Sequence, residues 1–150
     1  MRNGNRQLWH NQIANSRGNG EQISSQSRSK PDRSGFYAMV YALNVFTLIP
    51  GKEEQYKEYS VKAGKVIYGL GGRVVASGHD PLRHMHGDLP RQIFIVVEFP
   101  GEGVFQQMVD ELDRQNLHTL REGATKDYIW TLYQAWDLRA WVREGGKSDA

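Results

Sequence analysis

The chain has 150 residues, of which 39% are hydrophobic and 24% charged, the make-up of one ordinary globular domain. It contains no cysteine, which excludes disulfides, thiolate metal ligands and cysteine nucleophiles. The formal charge of +2 is unevenly spread: residues 1–35 hold six Lys/Arg and two acids, and the remainder is net −2, a poor match for a generic polyanion.

Residues 1–35 are rich in Asn, Gly, Ser, Gln and Arg with scattered apolar positions, so they are expected to form a disordered basic tail. A transit peptide shares the Arg/Ser bias but would be more amphipathic. No apolar signal region is visible, and the longest apolar runs, such as IFIVV at 93–97, are far too short to span a bilayer. A cytoplasmic location without a membrane partner is the expectation.

From Phe36 the composition changes, and a folded domain is expected over 36–142, with a frayed end at 143–150. FYAMVYALNVFTL (36–48) is β-branched and aromatic and predicts a first strand closed by Ile49-Pro50-Gly51. In 52–70, Tyr56, Tyr59, Ala63, Val66, Ile67 and Leu70 make one face of an amphipathic helix, stopped by Gly71-Gly72. RVVASG (73–78) predicts a second strand, and RQIFIVVEF (91–99) a third, ended by Pro100-Gly101. Val104, Phe105, Met108, Val109 and Leu112 form the apolar stripe of a second helix, continued by a short helical piece that breaks near Gly123. DYIWTLYQAW (127–136) predicts the last strand, and DLRAWV (137–142) a further turn of helix.

The order β-α-β-β-α-β is the split βαβ, or ferredoxin-like, arrangement: an α+β fold with a four-stranded antiparallel sheet and two helices on one face. Strand four carries Trp130, Leu132 and Trp136 on one side and Ile129, Tyr133 and Ala135 on the other, while strand three is apolar on both. A two-layer monomer would leave one such face wet, so the partner expected is a second copy, joined sheet to sheet as a homodimer.

YKEY (56–59), GGRVVASG (71–78), LPRQIFIVVEFPG (89–101) and LREGATKDYIW (120–130), in this order, resemble the domain-of-unknown-function family 1330. The resemblance spans about 37–137. It implies a dimeric α+β barrel, related to the cofactor-independent antibiotic-biosynthesis monooxygenases, with a pocket between sheet and helices in each subunit.

Several residues are candidates for chemistry. Asn44 interrupts an apolar strand, so its amide either satisfies a local backbone group or points into a pocket, and monooxygenases of the superfamily hold substrate from this strand. Arg73, Arg91, Glu98 and Arg121 suit either an anion clamp or ion pairs. Tyr59, Trp130 and Tyr133 line a pocket or simply fill core. Between strands two and three, HDPLRHMHGDLP (79–90) holds three of the five histidines. His84 and His86 project to one side of an extended segment, as metal ligands would, with His79, Asp80 or Asp88 to complete a set. His79 is the acid/base candidate, because imidazole titrates near neutrality. A solvated polar loop is the favoured reading of this stretch, and His118 is read as structural.

No P-loop, G-x-S-x-G or G-x-G-x-x-G occurs, so no cofactor is expected. RNA-recognition modules share the strand order, but strand three offers Phe94 with Val96 where two stacking aromatics are needed. The functional expectation is a pocket for a small organic molecule, in an enzyme working without a cofactor (monooxygenase-, isomerase- or lyase-like) or in a non-catalytic ligand-binding or stress-associated protein.

Overall fold

A computed structural model describes residues 38–147. The tail expected over 1–35 and the last three residues lie outside the described residues.

Strand β1 (Val40–Leu48) alternates: Ala42, Asn44 and Phe46 are buried, and the residues between them are half-exposed. Period-two geometry therefore sends the first set to the helices and Tyr41, Leu43 and Val45 to the opposite face. Helix α1 (Glu53–Gly69) starts with Glu53 and Glu54, where the helix dipole favours carboxylates. It ends in a Schellman motif: Gly72 N donates to Ile67 O, Gly71 N donates to Tyr68 O, and Gly71 takes the left-handed φ of 89° that the motif requires. A Cβ on Gly72 would crowd Ile67 and Phe99, so the helix end sits directly on the sheet.

Strands β2 (Arg73–His79) and β3 (Ile93–Phe99) follow, then α2 (Glu102–Arg114), α3 (Leu117–Glu122), β4 (Thr125–Gln134) and α4 (Leu138–Lys147). The sheet order is β2-β3-β1-β4, antiparallel throughout, as the ferredoxin-like pattern requires. Strand β4 lies two residues earlier than the 127–136 expected, and α4 runs on to Lys147 where a single turn was expected. Trp136 therefore falls beyond the strand, largely exposed, and packs edge-on against Trp141 with centroids 5.2 Å apart.

Two bulges shape the sheet. Val75 is the extra residue where Val74 pairs with Val97 but Ala76 pairs with Val96. In β4 the extra residue is Asp127, at a left-handed φ of 53° between the Val45↔Ile129 and Thr47↔Lys126 pairs. That bulge switches the alternation, so Tyr128 and Thr125 can both face the helices.

The register resolves the sheet into two faces. Toward the helices, Val74, Val97, Ala42 and Leu132 make one row, and Ser77, Ile95, Asn44 and Trp130 the next. Away from them lie three rows: Arg73, Glu98, Tyr41 and Tyr133; Ala76, Val96, Leu43 and Thr131; and Gly78, Phe94, Val45 and Ile129. Phe94, Ile129 and Tyr133 are exposed on this second face, which leaves it largely uncovered among the described residues. The core is the helix side, where Phe46, Phe99, Met108 and Leu112 are fully buried. Among the described residues no helix is long and apolar enough to cross a membrane.

Candidate functional site

A cavity of about 130 Å³ lies between the helix side of the sheet and helices α1 and α2. Helix α1 contributes Tyr56, Tyr59, Ser60, Ala63, Gly64 and Ile67, and α2 contributes Met108 and Leu112. The sheet contributes Ala42, Asn44, Val74, Ile95, Val97, Phe99, Tyr128 and Trp130. Ser60 and Val74 are the exposed members, which puts the opening between α1 and β2. The lining is predominantly apolar with a few convergent polar groups, the usual make-up of a small-molecule site.

Those polar groups cluster at one end. Tyr128 Oη donates to Asn44 Oδ1, and Asn44 Nδ2 donates to Ile95 O at 3.4 Å. Behind them Arg121, only 1% exposed, stacks over Tyr128 at 4.7 Å and Trp130 at 5.3 Å from the ring centroids. Its guanidinium lies within hydrogen-bonding reach of the Tyr59 and Tyr128 hydroxyls, and its Nη2 is 3.9 Å from Glu122. Thr125 Oγ1 donates to Arg121 O at 3.0 Å, and Gln55 Nε2 donates to Leu120 O at 2.9 Å, tying α3 to β4 and α1. Rings complete the frame: Phe46 meets Tyr56 and Tyr128 at 5.0 and 5.1 Å, and Phe105 meets Phe99 and Trp130 at 5.4 and 5.5 Å.

Burial pushes the Tyr56, Tyr59 and Tyr128 phenols up, most strongly at Tyr56 and Tyr128, while Arg121 pulls against it. All three remain neutral hydroxyls near pH 7. They can donate hydrogen bonds, and the Asn44 amide can both donate and accept.

Of the residues singled out in sequence, the fold brings Asn44, Tyr59 and Trp130 to this cavity and places Arg121 behind it. The others stand elsewhere. Arg73 and Glu98 form an ion pair, Nε to Oε1 at 2.9 Å, on the uncovered sheet face, and Tyr133 shares that row. Arg91 Nε donates to Asp127 O at 3.3 Å. His118 Nε2 contacts Val109 O at 3.3 Å, between α3 and α2.

The histidine loop is solvated and separate from the cavity. His79 is exposed, with Nδ1 2.8 Å from Asp80 Oδ2; hydrogen bonds from His79 and then Gln92 hold the Asp80 carboxyl below the usual range. Asp80 N donates to Gln92 O at 2.7 Å, closing the loop at its base. His84 contacts Gly87 O, and His84, His86 and Asp88 are exposed. Among the described residues no group of three or more His, Cys, Asp or Glu could hold a metal. His79 is not among the residues that line the cavity described above.

Sequence reasoning passed over Tyr56 and Tyr128 as site residues. Tyr128 was detectable, since it shares the parity of Trp130 and Leu132.

No curated protein matches the chain. Among solved structures it is similar to a protein of unknown function from Rhodopseudomonas palustris, at 22% identity and a TM-score of 0.58 over 67% of this chain and 85% of that one. A putative antibiotic biosynthesis monooxygenase from Bacteroides thetaiotaomicron aligns at 15% identity and a TM-score of 0.50, over 69% and 93%. At these identities the likeness is one of fold alone, an antiparallel four-stranded sheet with helices. Residues 41–133, from the first strand through the last, match the family described as Domain of unknown function (DUF1330), and the chain belongs to that family.

Proposed function

We propose that this protein binds a small organic molecule in the cavity between sheet and helices, and does so as a homodimer. The observation that supports the first part is Asn44: an amide 7% exposed in the centre of an apolar strand, turned into a cavity and held by Tyr128. A buried amide needs partners, and a core that needed none would place an aliphatic residue here. Asn44, Tyr56, Tyr59, Tyr128 and Trp130 form the binding set. A thermal-shift screen of small aromatic and aliphatic fragments tests it: at least one class should raise Tm in the parent chain and fail to do so when Ala63→Leu fills the cavity.

The dimer is supported by the three rows on the uncovered face. A mostly apolar sheet face carried by every copy is self-complementary under two-fold symmetry, and sheets pack on one another at about 10 Å. Sedimentation at micromolar concentration tests this part independently.

A cofactor-independent enzyme is the second reading. It is favoured by the donor cluster at one end of the cavity, where tyrosine hydroxyls backed by Arg121 would stabilise negative charge developing on a substrate oxygen. Among the described residues no carboxylate or imidazole lines the cavity, so proton removal would have to draw on a substrate acidic enough to lose it readily. Turnover of a bound ligand into a new product, abolished by Asn44→Ala, separates enzyme from binder.

A further inference from the structure

We infer that the cavity selects a molecule of a single ring bearing one hydroxyl or carbonyl oxygen, with that oxygen against Asn44 and Tyr128, and that Arg121 acts from behind as a positioning residue. This rests on the cavity being a binding site, as proposed above, and names what it binds.

Size comes first. The volume is about 130 Å³, and a dry apolar cavity of about 150 Å³ takes up benzene. One six-membered ring with a small substituent is therefore the natural occupant, and two fused rings exceed the space.

Orientation comes second. The opening lies between Ser60 and Val74, and the walls from α1, α2 and β3 beyond it are largely apolar, so a ring slides in along them. The polar atoms wait at the β1–β4 end. An amide nitrogen carries two hydrogens, and the Asn44 Nδ2 contact to Ile95 O is long at 3.4 Å. A ligand oxygen can accept from that nitrogen while Oδ1 keeps the Tyr128 hydroxyl.

Charge comes third. Arg121 does not line the cavity, yet its cation stacks on two of the rings that do and reaches two of their hydroxyls. A fixed positive charge behind a hydroxyl polarises its O–H bond and strengthens what it donates. The deep end therefore favours an oxygen with full or partial negative charge and repels an ammonium.

Isothermal titration with phenol, toluene, aniline and 2-naphthol tests size and orientation. Phenol should bind about tenfold tighter than toluene, the worth of one good hydrogen bond in a dry site, and aniline and 2-naphthol should bind more weakly than phenol. Asn44→Ala should abolish the preference for phenol and leave toluene binding in place. Equal affinity for phenol and toluene would overturn the oriented oxygen while sparing the pocket, and 2-naphthol binding as tightly as phenol would overturn the single ring. If none of the four binds, the pocket reading fails with it.

Arg121 is tested by the visible absorbance of bound 4-nitrophenol across pH. Burial raises the pH at which a bound phenol ionises, and Arg121 should limit that upward shift: it should be larger in Arg121→Met and close to the parent's in Arg121→Lys. Should Arg121→Met not fold, Tyr128→Phe removes the relay alone and should enlarge the shift. An unchanged shift in the folded variant would overturn the role of Arg121.

Discussion

Filling the cavity should make this protein more stable and unable to bind. Ala63 is 3% exposed and lines the cavity from the middle of α1. A void of about 130 Å³, at ~24 cal/mol per Å³, withholds about 3 kcal/mol of packing energy from the folded state. Ala63→Leu adds three carbons, at ~0.8 kcal/mol each when buried, and loses about 0.5–1 kcal/mol of side-chain entropy. The expected net is about 1.5 kcal/mol of added stability, or a rise in Tm of roughly 5 °C or more for a domain of this size. Urea denaturation should show a higher midpoint with an unchanged slope, because the surface exposed on unfolding hardly changes. Fragment titration of the same variant should show no binding, as expected where a protein keeps a cavity for function at the expense of stability. A loss of about 1–3 kcal/mol would be the signature of overpacking and would mean that the space is not available. A stabilised variant that still binds would place the site elsewhere.

Further outcomes follow from the sheet and the surface. A Cβ at Gly78 would overlap the Phe94 ring lying across it on the uncovered face, so Gly78→Ala should displace that ring and weaken self-association in sedimentation equilibrium without unfolding the chain. Asp127→Val should cost about 1–2 kcal/mol in urea denaturation despite its exposure, since the bulge holds this residue at φ 53°, a conformation β-branched side chains resist. Glu111 is held at about 2, from 4.5, by hydrogen bonds from Arg114 and then Gln115. A depressed carboxylate stabilises fully above its unfolded value, so this contribution should be lost as pH falls from about 4.5 toward 2, and should be absent in Glu111→Gln; the pair is at the surface, so added salt should diminish it.

The elements themselves were legible because their signals are local. Tyr56, Tyr59, Ala63 and Ile67 mark the inner face of α1 by spacing alone, and Gly71-Gly72 announces the Schellman stop. Asn44 stood out because a polar residue inside an apolar alternation has few bland explanations. What could not be read locally was register. Whether Glu98 and Tyr133 share a face with Asn44 depends on which residues pair across β1, β3 and β4. The observed pairs put Glu98 and Tyr133 opposite Tyr41, on the other side of the sheet.

The Asp127 bulge, which changes the alternation of β4 partway, leaves no period-two trace in the sequence. Arg121 is harder still: arginine is rarely buried, and only the approach of α3 to β4 brings Tyr128 and Trp130 under its guanidinium. The histidines of 79–90 drew notice by chemical type. They sit on an exposed loop closed at its base by Asp80 and Gln92, and none of them lines the cavity.

The central claim, a cavity that binds a small single-ring molecule, is tested most directly by amide and side-chain chemical shifts of the labelled protein during titration with phenol. Saturable shifts should be confined to the cavity lining, strongest at the Asn44 side-chain amide, the Trp130 indole and Ala63, with the 79–90 loop and the Phe94 face unmoved. Shifts concentrated on that loop or on the uncovered sheet face, or none at saturating phenol, would contradict it.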